Sequence, residues 1–338
     1  MKKSISIFMA VLLIMAAVVG CSTEKEKTNA TNEEKESIQV KDTDKVYKIG
    51  ICQLIEHPAL DAAYDGFVDG LAEAGYIDGV NIEIDKNSAQ GDQSNAVTIS
   101  NKLVNNNSDL ILAIATPAAQ AAANATKEIP VLITAVTDPA AVGIVESNEA
   151  PGGNVTGTSD LTPVKEQIEL LKELFPEAEK VAILYCSSEL NSEIQAEIAM
   201  KAAAELGITA QKVTVSSTNE IQQVVQSLVG KVDVIYTPTD NVIADGMETV
   251  SLVATRNGIP IICGEDGNIE RGALATRGIN YYDLGKQTAA MAVQILEGKA
   301  EPATMPIEYS NKVAFSYNEN IAKELGITIP DSLLKELE

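Results

Sequence analysis

The 338-residue chain holds one histidine, His57, no tryptophan and four phenylalanines, and its 25 Lys and Arg are outnumbered by 48 Asp and Glu. A single histidine removes most metal sites and Ser-His-Asp triads, which need further ligands or partners at set spacings. The formal net charge of −23 argues against nucleic acid and anionic membrane surfaces, because both are bound through clustered Lys and Arg. Cys52, Cys186 and Cys263 sit at the ends of apolar runs, an odd number that reads as buried free thiols rather than a disulfide framework. No Gly-x-Gly-x-x-Gly follows a strand. Gly285-Lys286-Gln287-Thr288 has the ending of a phosphate loop, but Asn280 stands where the first glycine belongs. Glu265 and Asp266 are adjacent on a loop and diverge, which does not suit a paired acid and base. No catalytic residue, cofactor or metal is therefore expected.

What is present begins at the N-terminus. Lys2 and Lys3 precede an apolar stretch from 5 to 20, broken only by Ser6 and ending in Val18-Val19-Gly20-Cys21. Such a segment is too short to span a membrane, which takes about 20 apolar residues, and reads as a signal peptide over 1–20. Cys21 looks like the lipidated cysteine of a bacterial lipoprotein, followed by a solvated tether over 21–45 that has few apolar residues to bury. Removal of the first 20 residues, which include two Lys and no acid, moves the charge from −23 to −25. No later segment is long and apolar enough to span a membrane.

Beyond the tether, strand and helix patterns alternate. Strand-like runs fall at 47–53, 81–86, 110–115 and 131–136, with helical runs at 58–74, 93–104 and 117–126 between them. A second series follows, with strands at 181–185, 209–215, 233–237 and 260–263 and helices at 163–174, 192–206, 219–229 and 240–256. Alternation of this kind predicts an α/β fold with parallel sheets covered by helices on both faces. Asp109 to Pro117 with Ile129-Pro130 matches Asp233 to Pro238 with Ile259-Pro260, so two similar lobes are expected rather than one large sheet. Later segments read as a strand at 273–280, a helix at 282–297, strands at 305–309 and 313–316, and a helix at 318–325.

The centre of the chain carries the most informative run. An apolar strand leads into Thr137-Asp138-Pro139, a helix-start signal, and then through Gly143-Ile144-Val145 to Pro151-Gly152-Gly153-Asn154-Val155-Thr156-Gly157, which reads as a glycine-rich hinge. This run resembles the ABC transporter substrate-binding proteins of the tryptophan/tyrosine type, and the likeness extends over about 47–334. The resemblance implies a two-lobed, type I periplasmic-binding-protein-like fold in which three hinge crossovers join the lobes. It places 46–158 and 282–310 in lobe one, and 159–281 and 311–338 in lobe two. It also implies an extracytoplasmic, lipid-anchored monomer of an ABC importer, partnered by a permease, that closes on an amino-acid-like ligand, with tryptophan, tyrosine or phenylalanine favoured. The other reading on this fold is a sensory lipoprotein that presents its closed form to a signalling receptor.

Ligands of open parallel sheets bind beyond the carboxyl ends of the strands, where helix N-termini offer unpaired N–H groups. The loops placed there carry no Lys or Arg, but they do carry Glu56, Asp138, Asp160, Glu189, Asp240, Glu265 and Asp266. A zwitterion suits them. Its carboxylate is expected at Thr116, Pro117 and Ala118, on backbone N–H groups and hydroxyls such as those of Thr116 and Ser159, and its ammonium on an acid such as Asp240. Gln53, Thr137, Asp138, Asn241, Glu265 and Asp266 complete the candidate set. Thr116-Pro117 and Asp138-Pro139 also read as simple helix caps, which is compatible with ligand contact. His57 is a helix-start residue or a ligand contact, and Tyr281 or Tyr282 faces the cleft beside a crossover, stacking on a ligand or plugging the hinge.

Overall fold

A computed structural model describes residues 40–337 except 44 and 311. The signal segment, Cys21 and most of the tether lie outside the described residues. The expected tether ends earlier than residue 45, because Lys41 is already docked: its N–H donates to Gly75 O at 3.0 Å, and its carbonyl accepts from Asn81 Nδ2 at 2.9 Å.

The first lobe is built from β1 (Tyr47–Gln53), α1 (Pro58–Glu73), β2 (Ile82–Ser88), α2 (Gln93–Asn105), β3 (Leu110–Ile114), α3 (Thr116–Ala125), β4 (Val131–Thr134) and β5 (Val155–Ser159). The chain then crosses to α4 (Val164–Leu174), β6 (Lys180–Cys186), α5 (Leu190–Glu205), β7 (Thr209–Val215), α6 (Ile221–Leu228), β8 (Val234–Thr237), α7 (Asn241–Asp245), α8 (Met247–Arg256), β9 (Ile261–Cys263), α9 (Gly267–Glu270) and β10 (Ala275–Gly278). It returns through α10 (Tyr281–Leu296) and β11 (Glu308–Tyr309), and finishes with β12 (Ala314–Tyr317), α11 (Glu319–Leu325) and α12 (Asp331–Leu334). The strand orders are β11-β5-β4-β3-β1-β2 and β12-β10-β9-β8-β6-β7.

Strands buried on both faces read as unbroken apolar runs, and β3, Leu110 to Ile114, is wholly buried under helices. The two lobes repeat one device. Asp109 accepts the Lys48 N–H at 2.8 Å, and Asp233 accepts the Lys180 N–H at 2.8 Å, so each acid ties the start of a central strand to its neighbour.

Several expectations change on contact with the structure. The sheets are not both purely parallel, since β12 runs antiparallel to β10. The glycine-rich hinge contains a strand, β5, in which Gly157 has φ 146° and a Cβ would lie 2.0 Å from Ile133 O. Only glycine allows β5 to approach β4 this closely. Ser159, placed in lobe two by the sequence, pairs with Tyr309 in the first sheet. The helix start at Asp138-Pro139 yields a single turn: the Asp138 carboxylate caps Ala141 N at 3.1 Å but also takes Asn148 Nδ2 at 2.9 Å, and the chain turns away. The helix expected over 240–256 breaks at Gly246, where a Cβ would meet Ile221 Cδ1 at 2.2 Å.

The return helix α10 docks on α1 backbone to backbone. A Cβ on Gly66 would lie 2.0 Å from Tyr282 O, and one on Gly285 would lie 2.0 Å from Ala63 O. Overfilling a packed contact typically costs about 1–3 kcal/mol. Gly285→Ala should therefore lower stability by about 2 kcal/mol or more in urea unfolding, whereas Gly153→Ala, where an added Cβ meets nothing within 4 Å, should leave it unchanged.

Candidate functional site

The carboxyl ends of the two sheets face each other, and each central strand end is followed by a helix start. In the first lobe β3 leads through Ala115, at φ 81°, into α3, and β4 leads through Ala135, at φ 55°. Left-handed backbone at a non-glycine residue is strained and concentrates at functional sites. Both strained alanines lie at strand ends on the cleft side, and Ala115 turns the chain so that α3 starts there.

Contacts across the lobes show a closed arrangement. Gln195 of α5 donates through Nε2 to Thr137 Oγ1 at 3.1 Å, and His57 Nε2 lies 3.4 Å from Asn241 Oδ1. An added Cβ on Gly267 of α9 would lie 3.2 Å from Ala59 N of α1. The two crossovers flanking the second lobe are tied to one another, because Tyr281 donates its hydroxyl to Asp160 Oδ2 at 2.8 Å.

Four carboxylates are buried where the lobes meet: Asp160, Glu189, Asp240 and Glu265. They are not equivalent. Asp240 caps α7 through Ile243 N at 2.8 Å and takes Cys186 N at 2.6 Å on its other oxygen. Glu189 accepts from Asn241 Nδ2 at 2.7 Å and from Asn241 N and Val242 N. Asp160 takes two hydroxyls, Tyr281 at 2.8 Å and Thr137 at 3.3 Å, and burial still pushes its pKa up to about 6. Glu265 is 3% exposed, and among the described residues its carboxylate has neither a hydrogen-bond donor nor a cation beside it. Its pKa is raised well above the usual carboxylate range, first by burial and then by Asp160, Asp266, Asp240 and Glu189.

The remaining candidates fall into two groups. Thr116, Pro117 and Ala118 open α3 and are buried at the cleft end of β3. Gln53 is buried beside them in the sheet, donating to Asp61 Oδ1 at 2.7 Å while its Oε1 has no partner among the described residues. Asn241 and Tyr281 reach the interface as described, and Asp266, half-buried, precedes α9 without capping it through its side chain. Ser159 and Asp138 serve the backbone instead: Ser159 Oγ donates to Thr137 O at 2.6 Å, and Asp138 holds its own turn. Sequence reasoning passed over Asp160 and Glu189 as particular site residues and missed Gln195, which lies inside a helix where nothing local distinguishes it.

The family model for ABC transporter substrate binding proteins matches residues 48–338. The chain belongs to this family. Its relatives include a tyrosine-binding protein of Clostridioides difficile (strain R20291), 44% identical over 96% of this chain and 93% of that protein. An ABC domain from Streptococcus pneumonia in complex with L-Trp is 44% identical and superposes with a TM-score of 0.84 over 86% of this chain and 98% of that one. A ligand-free, open substrate-binding protein with adhesive properties from Clostridium difficile is 48% identical, yet superposes at only 0.67 over 85% of this chain and 97% of that one. Rotating rigid lobes lowers a global superposition without changing either lobe, and the cross-lobe contacts of this substrate-binding protein agree with the closed form. The family is a solute-binding one rather than an enzyme family, and its members are extracytoplasmic.

His57 is almost completely buried in this closed arrangement, against Asn241 of the other lobe, and desolvation pushes its pKa from 6.5 down to about 4. The ring is neutral in the closed form and gains a proton more readily when exposed. The closed arrangement therefore keeps its full stability above pH 6.5 and loses part of it as pH falls from 6.5 toward 4. His57 is the only histidine, so its imidazole nitrogen shifts report it without ambiguity. They should show a neutral ring at pH 5.5; an ordinary titration near 6.5 would place His57 in water.

Proposed function

We propose that this substrate-binding protein captures a zwitterionic aromatic amino acid, tyrosine or tryptophan, between its lobes and delivers it to an ABC permease as a monomer. The observation that carries this reading is Glu265, a buried carboxylate facing the cleft that has no donor and no cation beside it among the described residues. A charge left so is strongly disfavoured unless it takes up a proton or a cationic partner, and an amino-acid ammonium is such a partner. Asp160, buried like Glu265, is the first of the acids whose charge raises the Glu265 pKa, so a cation bound at Glu265 also relieves Asp160. The start of α3 supplies free N–H groups at Thr116 and Ala118 for the carboxylate. The bound amino acids of the relatives support the same class of ligand.

The ammonium partner differs from the one expected first. Asp240 has both oxygens engaged by backbone N–H groups within its own lobe, so it acts as a helix cap and an anchor for the end of β6. Glu265→Gln keeps the shape and removes the charge. It should weaken L-tyrosine and L-tryptophan binding by about 30-fold or more in isothermal titration, the effect of stranding one member of a buried charged pair. Equal affinity in Glu265→Gln and wild type would remove Glu265 from the site.

The same reading places the protein on the outer membrane face through a lipid on Cys21. Cys21→Ala should abolish lipid labelling and release the protein from the membrane fraction, while its ligand-induced rise in melting temperature persists. Retained labelling would exclude lipidation at this cysteine.

A further inference from the structure

We infer that Gln195 and Thr137 are positioning residues for the ammonium end of the ligand: lobe closure seats the Gln195 amide on the Thr137 hydroxyl, which aims its proton at Asp160 beside Glu265. The inference rests on the amino-acid reading above and adds the device that couples closure to charge. Gln195 is fully buried on α5, and its amide is oriented within its own lobe, since Oε1 accepts from Thr239 Oγ1 at 2.6 Å and Thr239 N at 3.3 Å. The amide nitrogen is then turned toward Thr137 Oγ1 at 3.1 Å, the one partner it has in the other lobe among the described residues.

Thr137 has one hydroxyl proton, and the geometry gives it a direction. Oγ1 accepts from Gln195 and donates to Asp160 Oδ1 at 3.3 Å, while the other Asp160 oxygen takes the Tyr281 hydroxyl at 2.8 Å. Donors converge on Asp160 from two elements, the end of β4 and the start of α10. Each donor favours the ionised form, the form that binds a cation. The titratable groups facing Asp160 are Tyr281 and Glu265, with Asp266, Asp240 and Glu189 acting in turn on Glu265. Separating the lobes breaks the Gln195–Thr137 bond and leaves the hydroxyl unfixed, so a fully prepared Asp160 exists only in the closed form.

The test uses L-tyrosine and L-tryptophan as probes in isothermal titrations from pH 5 to pH 8. Thr137→Val, nearly isosteric, should weaken both about tenfold at pH 7, as loss of one hydrogen bond to a charge does. It should also move the acid-side loss of affinity to higher pH, because Asp160 with one donor fewer protonates earlier; a packing defect alone would not move that limb. Thr137→Ser should restore both affinity and profile. Gln195→Met should weaken binding similarly, and the double variant should be no weaker than Thr137→Val within a factor of about two. Should Gln195→Met fail to fold, the Thr137 pair decides alone. Wild-type affinity with an unmoved profile in Thr137→Val, or fully additive losses, overturns the inference while leaving the amino-acid site standing. Absence of binding by the wild-type protein overturns both.

Discussion

Taking carboxylates out of water without a cation is the constraint around which this molecule is arranged. Asp160, Glu189, Asp240 and Glu265 come from four strand ends, and the sheet topology brings them to one place. Three are made tolerable by donors: backbone N–H groups at the start of α7 hold Glu189 and Asp240, and hydroxyls hold Asp160. The fourth is left unbalanced. In a chain whose acids outnumber its bases by almost two to one, no basic partner stands at this point among the described residues, which is the observation behind the proposed capture of an ammonium.

The geometry that gathers these acids depends on close backbone packing far from them. Gly66 and Gly285 let α1 and α10 touch through their main chains, which fixes where α10 begins. Tyr281 is its first residue, so the hydroxyl that ties the second crossover to Asp160 on the first is aimed by a helix contact on the outer face of lobe one. Hinge, helix packing and charge are thereby one mechanical unit rather than three features.

Much of this was legible in the chain. The alternation of apolar runs with helix patterns found the central strands of both sheets, because strands buried on both faces carry an unbroken apolar signature, and the Asp109 and Asp233 repeat foretold twin lobes. β5 escaped because Val155-Thr156-Gly157-Thr158-Ser159 is polar and contains a glycine, and its burial comes from neighbours contributed later in the chain. At the site, the loops were found but the division of labour among their acids was not. Asp240 and Glu265 both follow strands on loops, and only the three-dimensional supply of N–H donors separates a cap from an unpaired charge. Gln195 carried no signal, since its role depends on a contact that exists only after the lobes close.

The docking of α10 has a further consequence for how the protein is made. Tyr282 and Asp69 are hydrogen-bonded yet 213 residues apart, and β11 completes the first sheet from beyond every strand of the second sheet but β12. Lobe one is thus a ring of contacts closed by nearly the last segment to be synthesised. A chain emerging from its N-terminus has no way to seal this lobe early, since long-range contacts of this kind are slow to form and wait for their partners. Such a sequence stays open until almost all of it is present, a property well matched to a polypeptide that has to be threaded across a membrane before it folds.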